Sequence, residues 1–374
     1  MYTVGLDVGQ NCSSVEILDE HGKHFKHLEI KDRWEGVVRQ IQKHTPTPFK
    51  VCFEASCGYG PLHDRLSTMA SGVQVAHPGH LRLIFRSKKK HNRVDAQKLA
   101  KLLFLDEVPR AYVPPAEVRS WRAMIEHRQK LLQTRVSIKR PASGFPVRSL
   151  LKGLGIHAER RLWTKKGMSW LKALDLPESE ALRRDIMVVE LQDVNKLIGR
   201  VQKHLKKVSD RQPAVALLMT IPGVGIRTAE TFVAYVHDIR RFTRIKCVGS
   251  YFGLIPCQDA SGNVNRLGHI TKEGPSTVRK MLTEAAWQGI RRSPTIRGFY
   301  QQVKRDDPKR NKIALIATAH YLTRVMAAML RSGECWREKD PPEQKQSEPN
   351  QRPGQSRSTG TDGCAAPLRK TPEP

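Results

Sequence analysis

The chain is short of acid. Its 374 residues hold 36 Asp and Glu against 65 Lys and Arg, a formal charge of +29. An excess of that size needs a polyanion to neutralise it, and nucleic acid is the leading candidate. Cysteine pairing is also missing: the seven cysteines (12, 52, 57, 247, 257, 335 and 364) form no C-x-x-C pair. That argues against a structural zinc site, and an odd number suits reduced thiols better than a disulfide framework. No stretch approaches the roughly 18 consecutive apolar residues of a membrane span. The N-terminus MYTVGLDVG lacks the charged-then-apolar layout of a signal peptide, so an intracellular protein with no membrane partner is expected.

What is present is basic and clustered. Arg82 to Arg93 (RLIFRSKKKHNR) carries six Lys or Arg and no acid, and Lys139 to Lys172 carries nine against only Glu159. The length suits two or three folded units. Strand patterns at Thr3–Val8, Ser14–Leu18 and His24–Ile30, separated by Gly-Gln-Asn and Asp-Glu-His-Gly turns, predict a three-stranded meander. A helix near Trp34–His44, a strand Lys50–Glu54, a helix near Pro61–Ser71, a strand Val73–Ala76 and a helix Val94–Leu105 follow. The order βββαβαβα is that of an α/β ribonuclease-H-like (RuvC-like) domain, where carboxylates from separate elements converge on one end of the sheet. The boundaries read from the chain are 1–108 for this domain, 109–212 for a helical spacer, 213–332 for a mainly α C-terminal domain and 333–374 for a disordered, proline-rich tail.

In the spacer, Met187, Leu191, Val194, Ile198, Val201, Leu205 and Val208 recur at steps of four and three, one coiled-coil-like seam that wants a partner helix. Val118–Ile138 folded back antiparallel, or the same helix of another subunit, would serve. Pro141, Gly144, Pro146, Gly153 and Gly155 break the region in its middle. After Pro213, Ile221-Pro222-Gly223-Val224-Gly225 followed by Arg227 has the form of a helix-hairpin-helix element. The glycines permit the tight turn, and free N–H groups at the next helix start can hold a phosphate. A loop from Pro256 to Gly274 is expected next. Two amphipathic helices follow, one with Val278, Met281, Leu282, Ala285 and Ile290 on one face and one over Asn311–Leu330.

Three acids stand out. Asp7 lies in the first strand between Leu6 and Val8, Glu54 ends the fourth, and Asp95 opens the helix after the basic run; an acid suits a strand core poorly unless its charge is compensated. Together they make a candidate site for a divalent cation, Mg²⁺ or Mn²⁺, because hard oxygen ligands suit such ions. Asn92, three residues before Asp95, can share its helical face but brings an oxygen without charge. His91 beside it is a candidate acid or base. Ser261, in the turn Asp259-Ala260-Ser261-Gly262-Asn263, is a candidate nucleophile, with Arg266, His269 and Lys272 near enough in sequence to hold a phosphate. The candidate nucleic-acid contacts are Lys88, Lys89, Lys90, Arg93, Gly223, Gly225, Arg227, Arg266 and Lys272.

The segments GLDVGQNCSSVEILDEHG, VCFEASCGYGPLHDRL, HNRVDAQKLAKLL, IPGVGIRTAETFVAYVHDIRRF and VGSYFGLIPCQDASGNVNRLGHITKEGPSTVRKMLTEAA, in that order, resemble the DEDD transposases of the insertion sequence 110 family across roughly residues 1–330. The resemblance implies a RuvC-like domain joined through a coiled-coil-like spacer to a second transposase domain. It places the family's first acid on Asp7, its Glu on Glu54, its last Asp on Asp95 and its serine on Ser261. That serine is taken to attack a DNA phosphate and form a transient phosphoserine link, with the carboxylates holding Mg²⁺ near it. The implied partners are donor and target DNA, an element-encoded guide RNA, and further copies of the chain as a dimer or tetramer. The implied place is a bacterial cytoplasm, beside the nucleoid. The family's second Asp falls on Asn92, a departure, and SIKRPASGFPVRSLL interrupts the spacer with two prolines.

Two other readings share parts of the sequence. Gly5-Leu6-Asp7-Val8-Gly9 also fits the first strand of an actin-like or sugar-kinase phosphotransferase, although no second phosphate-binding strand-turn follows. A non-catalytic nucleic-acid-binding protein, an inactive transposase copy, fits the charge, the helix-hairpin-helix element and Asn92.

Overall fold

The computed structural model describes residues 1–9, 11–56, 58–84, 92–139, 147–158, 161–261 and 264–338. Lys88, Lys89, Lys90, His91, Gly262, Asn263, the breaks at Pro141, Gly144 and Pro146, and the tail from 339 onward lie outside them. The first part follows the expected order with one helix added, α3: β1 (Tyr2–Asp7), β2 (Ser13–Leu18), β3 (His24–Ile30), α1 (Trp34–His44), β4 (Phe49–Glu54), α2 (Tyr59–Leu66), β5 (Gly72–Ala76), α3 (Pro78–Ile84) and α4 (Asn92–Phe104). They build one mixed sheet in the order β3-β2-β1-β4-β5. β1, β4 and β5 run parallel, and β2 and β3 run antiparallel to their neighbours.

Strand alternation sorts the sheet into two faces. Val4, Leu6, Val15, Ile17, Val51, Phe53 and Val75 pack with Val37, Val38 and Ile41 of α1 and Leu62 and Leu66 of α2. On the other face, Cys52 and Ala76 meet Leu99, Leu102 and Leu103 of α4. Burial there raises the pKa of the Cys52 thiol to about 12, so it is a small apolar group rather than a nucleophile. Gly5 is the contact point with α4: a Cβ there would fall 2.1 Å from the Ala96 carbonyl oxygen and 2.4 Å from the Ala100 nitrogen.

The rest is mostly helical: α5 (Ala116–Lys139), α6 (Val147–Gly153), α7 (Lys165–Ala173), α8 (Glu178–Ser209), α9 (Pro213–Leu218), α10 (Ile226–Val236), α11 (Lys246–Tyr251), α12 (Ser276–Arg292), α13 (Pro294–Lys304) and α14 (Asn311–Ser332). Between α11 and α12, β6 (Pro256–Ser261) and β7 (Val264–Ile270) pair antiparallel. The expected loop at 256–274 is thus largely a β-hairpin. Every residue of β6 is exposed, so neither face carries the apolar alternation that announces a strand. The expected helix Pro61–Ser71 starts two residues earlier and stops at Leu66.

The α8 seam has its partner within the chain. Met187, Leu191, Ile198, Val201 and Leu205 are buried, and Trp121 and Ile125 near the start of α5 share a core with Val201 and Leu205 near the end of α8, so the two helices run antiparallel. That core continues into the C-terminal helices through Leu218, Phe232, Phe252, Leu282 and Leu322. Inside it Arg128 and Glu230, each 2% exposed, form an ion pair, and the Ser209 hydroxyl donates to Glu230 at 2.8 Å. Pro308–Ser332 is the one helical span among the described residues long and apolar enough to cross a membrane. Ala319, Leu322, Met326 and Ala327 on it lie in this core.

Candidate functional site

The parallel register places Asp7 beside Glu54. Leu6 pairs with Phe53, and Asp7 and Glu54 are the next residue of each strand, so they end neighbouring strands about 4.8 Å apart. Asp7 is the last residue of β1 rather than a mid-strand one. By alternation both share the face of Gly5 and Cys52, the face that α4 covers. The direction of α4 decides where Asp95 lies. Phe104 at its far end abuts Gly22, in the β2–β3 turn at the opposite edge of the sheet, so α4 runs antiparallel to β1 and its first turn lies at the edge of Asp7 and Glu54. Asp95 directly precedes Ala96, the residue pressed on Gly5.

The helix begins at Asn92, two residues earlier than expected, so Asn92 and Asp95 share its first turn. Asn92 and Arg93 are exposed. The Asp95 carboxylate is ion-paired with Lys98 Nζ at 3.2 Å. Among the described residues no three of His, Cys, Asp and Glu close into a cluster able to hold a metal ion. The three acids are therefore gathered on one edge and one face without forming a finished ligand shell. Sequence reading missed Ser14, which pairs with Asp7 across β1 and β2; it is 2% exposed and its Oγ has no hydrogen-bond partner among the described residues. It also missed Glu16, equally buried, which accepts from His24 Nδ1 at 2.7 Å and His27 Nδ1 at 3.2 Å.

Ser261 is elsewhere. It ends β6, pairs with Val264 and is exposed, and none of the hydrogen bonds among the described residues joins it to the acids. Arg266 faces Asp259 across the hairpin, His269 is exposed on β7, and Lys272 follows with φ 57°. The glycine turn divides in role. Gly223 has φ 96°, and a Cβ there would fall 2.4 Å from the Gly289 nitrogen, so this glycine is needed for docking on α12. Gly225 caps α10 with no side-chain hydrogen bond and has open space beside it. With Arg227 it lines a groove against α5 and α12.

The two parts meet through side chains that no motif announced. Arg119 of α5 pairs with Asp64 of α2 and holds that carboxyl below the usual carboxylate range. Within the helical part, Arg122 donates to the Ala234 carbonyl at 2.8 Å. Arg241 lies 4.4 Å from the Tyr112 ring centre and 4.5 Å from that of Tyr251, and the Tyr112 hydroxyl hydrogen-bonds His237. Burial holds the His237 ring below its ordinary pKa, an effect that Arg122 reinforces.

Two family profiles match the chain. A transposase profile of the DEDD IS110 type matches residues 4–145, and the profile of the Transposase IS116/IS110/IS902 family matches residues 215–301. The chain is 26% identical over 293 residues to y4qE of Sinorhizobium fredii, covering 76% of this chain and 70% of that one. It is 25% identical over 290 residues to the transposase for insertion sequence element IS1111A of Coxiella burnetii, covering 76% of each. To the transposase for insertion sequence element IS1328 of Yersinia enterocolitica it is 21% identical over 290 residues, covering 76% of this chain and 82% of that one. With both profiles matched in order, one on the sheet that carries the acids and one on the helices around the hairpin, the chain belongs to the IS110 family of DEDD transposases, enzymes of DNA transposition that cut and rejoin DNA.

Proposed function

We propose that this transposase works by attack of Ser261 on a DNA phosphate beside a divalent cation, with an RNA from its own element pairing with donor and target DNA. The observation that carries the reading is the placement of Asp7 and Glu54 side by side on the face covered by α4, with Asp95 in the first turn of that helix. The strand order β3-β2-β1-β4-β5, with β2 alone running against the other four, supports a ribonuclease-H-like (RuvC-like) assignment. The donor set fits Mg²⁺ or Mn²⁺ in kind: the oxygens are hard, and the buried Ser14 hydroxyl next to Asp7 is unpartnered among the described residues. Asp7, Glu54 and Asp95 would hold the ion, with Asn92 as a neutral fourth donor, and the ion would stabilise charge on the phosphate. The Asp95–Lys98 pair has to yield for this.

On the protein's side, the Ser261 Oγ–P bond forms as the bond from phosphorus to one sugar oxygen breaks, and the freed sugar hydroxyl is available for rejoining. Arg266, Lys272 and, outside the described residues, Lys88, Lys89 and Lys90 neutralise phosphate charge, as do Arg93 and the groove at Gly225 and Arg227. The glycine turn between α9 and α10 is read as the helix-hairpin-helix element, with Gly223 seated on α12 and Gly225 beside open space. Because Ser261 stands on an exposed hairpin, the composite site is read as closing on assembly with DNA, in a dimer or tetramer. The seam at Met187–Val208 is largely used inside the chain, so that assembly needs another surface.

Asn92 supports a second reading, a copy that binds without cutting. One experiment addresses both. Wild-type protein incubated with donor and target DNA, Mg²⁺ and co-purified RNA should transfer strands and leave a protein–DNA adduct on denaturing gels. Ser261→Ala, Asp7→Ala and Glu54→Ala should abolish transfer at unchanged melting temperature. Full activity in Ser261→Ala removes the covalent serine, and an inert wild type favours the binding-only copy.

A further inference from the structure

A groove of about 1020 Å³ lies between the second half of α5, the glycine turn ahead of α10, and α12. Its charge is one-sided: Arg135, Arg227 and Lys280 line it against one acid among the described residues, Glu284. Arg128, next to the lining residue Gln129, adds to the excess. It is 2% exposed and gives one terminal nitrogen to Glu230, while its Nε and other terminal nitrogen have no partner among the described residues. Burial, then Arg128 and Arg135, lower the pKa of Arg227, so these guanidinium groups are close enough to repel one another. An anion between them relieves that repulsion.

The same groove carries Trp287, a large aromatic side chain left 45% exposed. The Arg291 guanidinium lies over its ring, 5.4 Å from the centre, a cation–π contact that helps hold the indole in place. A duplex keeps its bases stacked on one another and offers a protein only their edges and the backbone. An indole is covered by a base only where that base is unpaired. Leu132, Val136 and Met281 give the groove an apolar lining next to the indole, and Gln129, Gln133 and Gln288 bring amides that donate and accept at a base edge.

We propose that this groove binds a single-stranded stretch of nucleic acid, with an unpaired base on Trp287 and the adjoining phosphate among Arg135, Arg227 and Lys280. The proposal rests on the reading of the chain as one that holds nucleic acid, and goes beyond it in assigning strandedness and the stacking residue.

The test uses the full chain and the fluorescence anisotropy of labelled probes: a short single-stranded oligonucleotide, as DNA and as RNA, and the blunt duplex of the same sequence. Trp287→Ala should weaken single-strand binding by about tenfold or more and leave duplex binding unchanged. Trp287→Phe, which keeps a ring, should retain most of the affinity. Arg227→Ala should weaken single-strand binding and flatten its salt dependence, because a phosphate contact is lost. Equal losses on both probes, or no loss on the single strand, overturn the proposal while leaving nucleic-acid binding intact; a groove made for an acidic protein segment would give the second result. A wild-type chain that binds neither probe takes down the nucleic-acid reading itself.

Discussion

Replacing Gly5 by alanine puts a methyl carbon 2.1 Å from the Ala96 carbonyl oxygen, 2.4 Å from the Ala100 nitrogen and 2.9 Å from the Ala100 Cβ. Ordinary contact begins near 3.4 Å, so α4 has to retreat from β1 by at least about 1 Å. Two of the obstructing atoms are backbone, which cannot rotate aside. Overpacking of this kind costs about 1–3 kcal/mol, and for a domain of this size each kcal/mol lowers the melting temperature by roughly 4–8 °C. The same retreat carries Asp95, one residue before Ala96, away from Asp7 and Glu54. A catalytic group misplaced by about 1 Å costs on the order of a hundredfold in rate. Thermal unfolding followed by circular dichroism, and strand transfer on the same preparation, read the two effects separately. Gly199→Ala is the control: this glycine lies within α8 with nothing within 4 Å of a built Cβ, and its replacement should raise stability slightly. If Gly5→Ala melts and transfers strands as the wild type does, neither the close seating of α4 nor the role given to Asp95 survives.

Asn92→Asp adds a charged oxygen to the turn that holds Asp95 and should tighten Mg²⁺ binding in a calorimetric titration; unchanged affinity would put Asn92 outside the site. His320 is packed against Gly249 with its Nε2 buried and unpartnered among the described residues; burial, then Arg324, lower its pKa below the ordinary histidine value. The fold thus favours the neutral ring, so its contribution is fully present above about pH 6.5 and is lost as pH falls through the lowered folded value. His320→Gln should flatten the acid side of a plot of urea midpoint against pH, and an unaltered slope would mean that another group sets it.

The N-terminal fold was readable because burial imprints a period. β1, β2 and β4 each bury every second residue on a common apolar face, and α1 begins and ends at the residues expected from its pattern. Asp7 and Glu54 stood out for the converse reason, as charges at the ends of apolar strands, and Asp95 as the acid that opens a helix after a basic run. The hairpin β6–β7 was invisible because its exposed residues carry no periodicity, and the turn residues Ser-Gly-Asn suit a loop equally well. Proximity across the chain was also hidden. Nothing local says that Ser14 faces Asp7, that α5 rather than a second subunit covers the α8 seam, or that Trp287 shares a groove with Arg227 from an element some sixty residues away. Those facts come from strand register and helix packing, which only the closed structure fixes.

The common core of α5, the end of α8 and the C-terminal helices bears on how the protein can be cut into pieces. A fragment beginning at Pro213 would leave Leu218 and Phe232 without the cover of Trp121, Ile125 and Leu205, and would strip Glu230 of Arg128. A lone buried carboxylate and a bare apolar face together favour aggregation over folding. The smallest C-terminal piece that can stand by itself therefore starts ahead of Ala116.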